Sequence, residues 1–337
     1  LPNAMGAISG SPSLSLVFAG ASSLDPRITF TRNSTATYFN ASGVLSSASA
    51  NTPRFDYDPV TRLARGLLIE EQRTNLLLRS EEFDNASWTK FRSSITANAA
   101  AAPSGASTAD KLVEDSTATE THGLFQSATI SSATAYTYTV YAKASERTWI
   151  LLGLNVGAGE AKTWFNLATG VVGTNFNASA SITSVGSGWY RCSVTSTSSG
   201  TTATSVVKLA TQDAVERYTG DGTSGLYIWG AQIEAGAFAT SYIPTTTAQV
   251  TRIADSATMT GTNFSSWYNA TEGTLFADVS APTVSGTFAF ASFNDGTNNE
   301  AINAYYNATS QFQVRDNSTS QALIVFAASG SVKLAGA

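Results

Sequence analysis

The chain has 337 residues, enough for about two domains, and only 13% of them are charged, roughly half the ~25% usual for a globular protein. Serine (44) and threonine (45) fill the gap, while a hydrophobic content of 42% with 10% aromatics leaves ample material for a core and excludes a disordered chain. The net charge of −5 with no cationic stripe argues against nucleic acid. The single cysteine, Cys192, and single histidine, His122, exclude an intrachain disulfide and multi-Cys or multi-His metal sites. No run of eighteen apolar residues occurs, so no membrane span is expected, and the uncharged start lacks the basic region of a signal peptide.

Helical periodicity is nearly absent. Short β-type runs alternate with Gly, Asn, Asp, Ser and Thr clusters, which predicts an all-β chain of antiparallel β-sandwich (jelly-roll) modules in tandem behind a short hairpin-rich N-terminal segment. In residues 1–79, Ile28–Thr31, Ala36–Phe39 and Arg54–Tyr57 read as strands, with turns at Asn40-Ala-Ser-Gly43 and Asp58-Pro59. This segment is too small for a core of its own, so it is expected to pack on a neighbouring domain or another copy. It holds seven Arg and no Lys.

Residues 80–245 carry a richer series, including Tyr136–Tyr141, Trp149–Leu152, Thr163–Leu167, Trp189–Val194 and Leu226–Trp229, at a spacing that predicts a two-sheet sandwich. Alternation along Trp189–Thr195 sets Trp189, Arg191, Ser193 and Thr195 on one face, read as wetted, and Tyr190, Cys192 and Val194 on the buried one. Residues 246–337, the segment set off by the Thr245-Thr-Thr linker, repeat the strand–turn rhythm, with a hairpin signal at Asp295-Gly296, and the sequence breaks off at Ala337 just after a strand. A second sandwich cut short, in a longer polypeptide, is the expectation.

Three blocks carry a resemblance. Ile28-Thr-Phe-Thr-Arg-Asn-Ser-Thr-Ala-Thr-Tyr-Phe39, Pro53-Arg-Phe-Asp-Tyr-Asp-Pro59 and Arg65-Gly-Leu-Leu-Ile-Glu-Glu-Gln-Arg-Thr-Asn-Leu76 resemble a stretch common in bacteriophage tail-fibre and virion-spike proteins. Ser80–Lys90, Trp189-Tyr-Arg191, Leu226–Gly236 and Thr240-Ser-Tyr-Ile-Pro244 are similar to the carbohydrate-binding-like jelly roll that follows in such proteins, and the last segment resembles the first part of a concanavalin/laminin-G-like sandwich. The resemblance implies a fibre or spike on the virion exterior, homotrimeric, joined to other virion proteins and attached to host cell-surface polysaccharide.

The charge-dense spot is Glu70-Glu71 with Arg65 and Arg73. A catalytic reading makes the two carboxylates acid and base, but neighbours in a strand point to opposite faces. The alternative is a structural ion-pair network, within or between subunits. Five of the six tryptophans, Trp88, Trp149, Trp164, Trp189 and Trp229, fall in the middle module. They read either as core or as sugar-stacking platforms, with Trp149 and Trp164 the first choices for an exposed glycan site. His122 reads as a solvated loop residue and Cys192 as core. No cofactor is expected, apart from structural calcium on loop carboxylates such as Asp213, Glu216, Asp221 and Asp295. The whole predicts a non-enzymatic, glycan-binding structural protein, against two alternatives: a polysaccharide depolymerase or a purely architectural part.

Overall fold

The computed structural model describes residues 12–157, 159–269, 271, 275–280, 287–297, 299, 301–307, 309–316, 319–326 and 332–336. Ala337, where the sequence breaks off, lies outside them. The fold is all-β and antiparallel, and one four-residue helical turn is present among the described residues. The chain divides into two units, Ser15–Met259 and one carrying Thr260 onward.

The first unit opens with six short strands: β1 (Thr29–Thr31), β2 (Ala36–Phe39), β3 (Leu45–Ala48), β4 (Phe55–Tyr57), β5 (Ala64–Leu67) and β6 (Arg73–Asn75). The β2–β3 turn is closed by Asn40, whose side-chain oxygen accepts from the Ser42 and Val44 amides at 2.9 and 3.1 Å. Gly43 follows at φ 73°, and a Cβ there would lie 2.5 Å from the Pro59 carbonyl oxygen, so only glycine fits. Asp58 closes the β4–β5 turn by accepting from the Val60 and Thr61 amides.

Twelve strands then build the sandwich: β7 (Thr89–Phe91), β8 (Ser93–Ala100), β9 (Ala109–Glu114), β10 (Gly123–Thr129), β11 (Ala135–Lys143), β12 (Trp149–Asn155), β13 (Glu160–Asn166), β14 (Val171–Phe176), β15 (Ser179–Gly186), β16 (Trp189–Thr197), β17 (Thr202–Ala210) and β18 (Gly225–Ala235). They form two six-stranded sheets, in the orders β14-β13-β12-β17-β10-β7 and β15-β16-β11-β18-β9-β8. The chain then returns through β19 (Val250–Arg252), paired with β6, and β20 (Ser256–Thr258), paired with β1. The stretch read as a linker and the start of a third module thus runs back into the N-terminal segment and completes its sheets.

The core lies where alternation puts it. Tyr138 and Val140 of β11, Ile150, Leu152 and Leu154 of β12, Cys192 and Val194 of β16 and Val207 and Leu209 of β17 meet between the sheets. The other face of the second sheet is apolar too. Tyr141, Trp189 and Trp229 join Leu45, Val185 and Tyr242 in a separate buried cluster, with Phe39 packed against it. The face of Trp189 read as wetted is therefore covered, because Phe39 and Leu45 of the β2–β3 hairpin lie on it. This is why so short an N-terminal segment folds: its neighbour supplies the apolar surface. Each aromatic buried there removes roughly 150–250 Å² from water, gross stabilisation of about 4–6 kcal/mol at ~25 cal/mol per Å².

The second unit holds α1 (Thr262–Ser265), the pair β21 (Leu275–Val279) and β26 (Val332–Gly336), and a four-stranded sheet of β22 (Thr287–Asn294), β23 (Ala301–Asn307), β24 (Thr309–Asp316) and β25 (Thr319–Phe326) in chain order. The Asp295-Gly296 turn joins β22 to β23, with Gly296 at φ 97°. Among the described residues no helix is long and apolar enough to cross a membrane.

Candidate functional site

Two places in the first unit concentrate chemistry. The first is built from the Arg-rich block. Arg54, fully buried, donates from its two terminal nitrogens to the Thr37 carbonyl (2.9 Å), Glu70 Oε2 (2.7 Å), Ser241 Oγ (2.9 Å) and Asp255 Oδ2 (2.6 Å). Asp255 also accepts from Arg32 Nη1 (3.0 Å) and the Glu70 amide (2.8 Å). Glu70 accepts in addition from the Ser241 amide and hydroxyl at 2.7 and 2.6 Å, and Arg252 Nη1 stands 3.5 Å from it. Burial pushes the Glu70 carboxyl up, but Arg252, Arg54 and Ser241 together outweigh it and hold it below its ordinary value.

The sequence-predicted pairs therefore sort differently. Glu70 is taken by Arg54 and Arg252. Glu71 pairs with Arg73, which also lies 3.9 Å from Glu234. Arg65 reaches neither Glu70 nor Glu71 but pairs with Asp58 (2.8 Å) and Asp56 (3.5 Å) from a half-exposed position. The partners that sequence reading missed are Arg54, Arg252 and Asp255. Their only signal was charge set in otherwise neutral stretches, since Arg54 and Asp255 are some two hundred residues apart.

The same block carries Asn75, buried, which donates to the Ala231 and Ile243 carbonyls and accepts from the Leu77 and Ile233 amides. Gln232 accepts from the Ile243 amide, while Glu234 accepts from Gln232 Nε2 and from the amide and hydroxyl of Thr240. Three of the quoted stretches, Arg65–Leu76, Leu226–Gly236 and Thr240–Pro244, are thus bound side by side within one chain. Every carboxylate oxygen of Glu70 and Asp255 is an acceptor already occupied by donors, so the cluster is a clamp and has no proton to give.

The second place is the outward face of the first sheet. Trp149 is half-buried there, and Phe176 is 47% exposed, edge-on to Trp164 at 6.0 Å between ring centroids. Trp164 itself is 2% exposed, against the expectation of an open platform: residues 211–217 fold over it, and its Nε1 donates to the Val215 carbonyl at 3.2 Å. Alternation places an indole on a face but cannot see a loop crossing that face. Beside it, Lys162 contacts Glu160 (3.2 Å) and Glu216 (3.1 Å), and Lys208 contacts the same two acids at 3.5 and 3.0 Å. Trp88, Trp189 and Trp229 are core residues.

The remaining candidates have ordinary partners. Asp213 accepts from the amide and hydroxyl of Thr174; Asp221 accepts from the amides and hydroxyls of Thr223 and Ser224; Asp295 accepts from Thr297. Among the described residues no group of three or more His, Cys, Asp or Glu is placed to hold a metal ion. His122 is not a solvated loop residue: it is fully buried, its Nδ1 donates to the Arg92 carbonyl at 2.8 Å, and its ring packs 4.8 Å from Tyr218. Burial pushes the Cys192 thiol up, which makes it a poor nucleophile.

A neighbouring pair gives a pH test. Glu114, buried, accepts from Arg147, from the Tyr218 hydroxyl (2.7 Å) and from the Asp221 amide (3.0 Å). Burial raises its pKa, but those donors together lower it below the ordinary value. A carboxylate with a depressed folded pKa stabilises fully above its unfolded pKa of ~4.3, and that stabilisation is lost as pH falls through the folded value. Denaturant midpoints measured from pH 5 downward are expected to fall more steeply for the natural chain than for Glu114→Gln.

No family model and no curated protein matches the sequence. Among solved structures the chain is similar to the enzymatically active domain of tailspike protein 4 of bacteriophage CBA120, at 14% identity, over 48% of this chain and 21% of that one, with a TM-score of 0.32. The match spans about a fifth of that chain's length, and the score falls short of a shared fold. The expectation of a non-enzyme is corrected on this finding, since the solved domain is an enzymatically active one. The physical fault in that expectation is plain. Scarce His and Cys exclude imidazole and thiol chemistry, whereas carboxylate chemistry needs neither, and folding brings acids such as Glu160 and Glu216 together from distant positions.

Proposed function

We propose that this chain is an exterior component of a phage tail, a fibre or tailspike part, that engages host cell-surface glycans through the outward face of its first sheet. One observation carries the reading: Trp149, Phe176, Lys162 and Lys208 stand together on that face, outside the sandwich core, with Glu160 and Glu216 between the lysines. Aromatic faces stack on sugar C–H surfaces, and carboxylates and ammoniums bond vicinal hydroxyls. The neutral Ser/Thr-rich surface supports the same reading, because hydroxyls can exchange bonds with a sugar without desolvating a charge.

Self-association, as a homotrimer, and docking to other virion proteins belong to the proposal. Val17, Val60, Leu63 and Ile69 of the N-terminal segment are exposed apolar side chains, Leu63 at 70%, and offer surface for it. Threefold display would turn weak sugar sites into useful avidity. Light scattering on the purified chain is expected to give three times the chain mass; a monomer contradicts that part.

The function is tested by incubating the purified chain with polysaccharide from candidate hosts, measuring retention and newly formed reducing ends in the same samples. Retention on at least one host glycan is the expected result. Release of reducing ends would make the face a cleaving one, and absence of retention on every glycan would remove the reading.

A further inference from the structure

Residues 211–217 lie over Trp164 without joining any strand, and residues 211–214 are exposed. Their anchors to the sheet are polar: Asp213 to the amide (2.7 Å) and hydroxyl (3.0 Å) of Thr174, Glu216 to Lys162 and Lys208, and the Val215 carbonyl to the Trp164 indole. Ala214 at the crown adopts φ 58°, a left-handed conformation unfavourable to any residue with a Cβ. Beneath lies a small apolar cluster of Leu151, Trp164 and Ala210 with Trp149 packed on it, distinct from the core between the sheets. Lifting the segment would uncover this cluster and leave the sandwich core intact.

The Glu216 carboxylate is held by two ammonium groups beside an indole whose face also receives Lys162, 5.6 Å from the ring centroid. If Glu216 departs, Lys162 and Lys208 keep only Glu160 between them, one positive charge in excess, next to an uncovered aromatic face. That is the chemistry that recognises an acidic sugar: a ring to stack and a carboxylate to seat between two cations. We infer that residues 211–217 form a displaceable strap, and that Glu216 occupies the seat of a carboxylate-bearing saccharide that stacks on Trp164. This rests on the proposed glycan-binding role and gives its ligand class, an acidic polysaccharide.

The test titrates the full chain with a tetrasaccharide of galacturonic acid and, separately, with its neutral galactose counterpart, following tryptophan fluorescence. Glu216→Gln keeps the shape and removes the charge that competes for the seat, so it is expected to bind the acidic probe at least ~10-fold tighter than the natural chain, with no comparable gain for the neutral probe. Adding Trp164→Ala to it is expected to abolish the gain. Limited proteolysis of the natural chain supplies a measurement free of substitutions: cleavage within 211–217 should quicken when the acidic probe is bound. No gain in Glu216→Gln, an equal gain for both probes, or cleavage within 211–217 no faster in the bound chain overturns the strap. Host-glycan retention that persists alongside such a result leaves the proposed function standing, whereas no retention of any glycan by either form overturns both.

Discussion

Replacing Asp255 by alanine is expected to destabilise the first unit by about 3–5 kcal/mol, the usual cost of removing one partner from a buried ion pair. Asp255 is fully buried and accepts from Arg32, Arg54 and the Glu70 amide, so its loss takes the carboxylate from the buried Arg32 guanidinium and leaves Arg54 with Glu70 alone. A shift of roughly 6–20 °C in thermal midpoint follows for a unit of this size. The same argument applies to the chain itself. A chain ending after residue 259 keeps β19, β20 and Asp255 and should hold the melting behaviour of the first unit, whereas one ending at residue 245 loses all three and should melt far lower. Calorimetry on the two truncations checks this; equal midpoints would show that the clamp does not hold the segment.

Trp229→Ala is the second large effect. Trp229 is buried where the second sheet meets the N-terminal segment, 5.4 Å from the Tyr141 ring and 4.8 Å from the Tyr242 ring, and its Nε1 donates to Thr108 at 3.0 Å. Truncating it removes the transfer free energy of the indole and opens a cavity, about 3–5 kcal/mol. The loss should be local as well as global. Limited proteolysis is expected to cut within the β2–β3 hairpin earlier in this variant than in the natural chain, since Phe39 and Leu45 of that hairpin pack on the cluster. Cleavage confined to other regions at the natural rate would mean that the cluster does not secure the hairpin.

Fold class was legible because alternation is a local signal. Tyr136–Tyr141, Trp149–Leu152 and Trp189–Val194 all lie in strands at the positions read, and Cys192 and Val194 face the core as their phase requires. What was not legible depends on encounters between distant residues. Trp189 was assigned to a wetted face because one strand cannot tell which of its faces another segment will cover. The Arg-rich block was correctly singled out as unusual, but Glu70 was matched to its neighbours Arg65 and Arg73 when its partners are Arg54 and Arg252. Sequence proximity is a poor guide in a sheet, where adjacent side chains point apart and the partner arrives from another strand. His122 failed for a related reason: a polar tetrapeptide read as a loop packs beneath Tyr218, nearly a hundred residues on.

Of the predicted glycan pair, Trp149 and Trp164 do fall on one outward sheet face, which alternation could give, while the covering of Trp164 by 211–217 could not be read from strand phase. The lysines that complete the face were unflagged because Lys208 sits alone in its strand and, although Glu160 and Lys162 share a face of β13, bringing both lysines to both Glu160 and Glu216 takes the three-dimensional fold.

The measurement that bears most directly on the proposed function compares the natural chain with Trp149→Ala for retention on host polysaccharide, with thermal midpoints recorded alongside. Trp149 is half-buried on the outward face, outside the core between the sheets, so the variant should fold and yet lose retention by about tenfold or more, in line with ~1.4 kcal/mol or more from one aromatic contact. Retention equal to that of the natural chain, with folding intact, would contradict the assignment of this face.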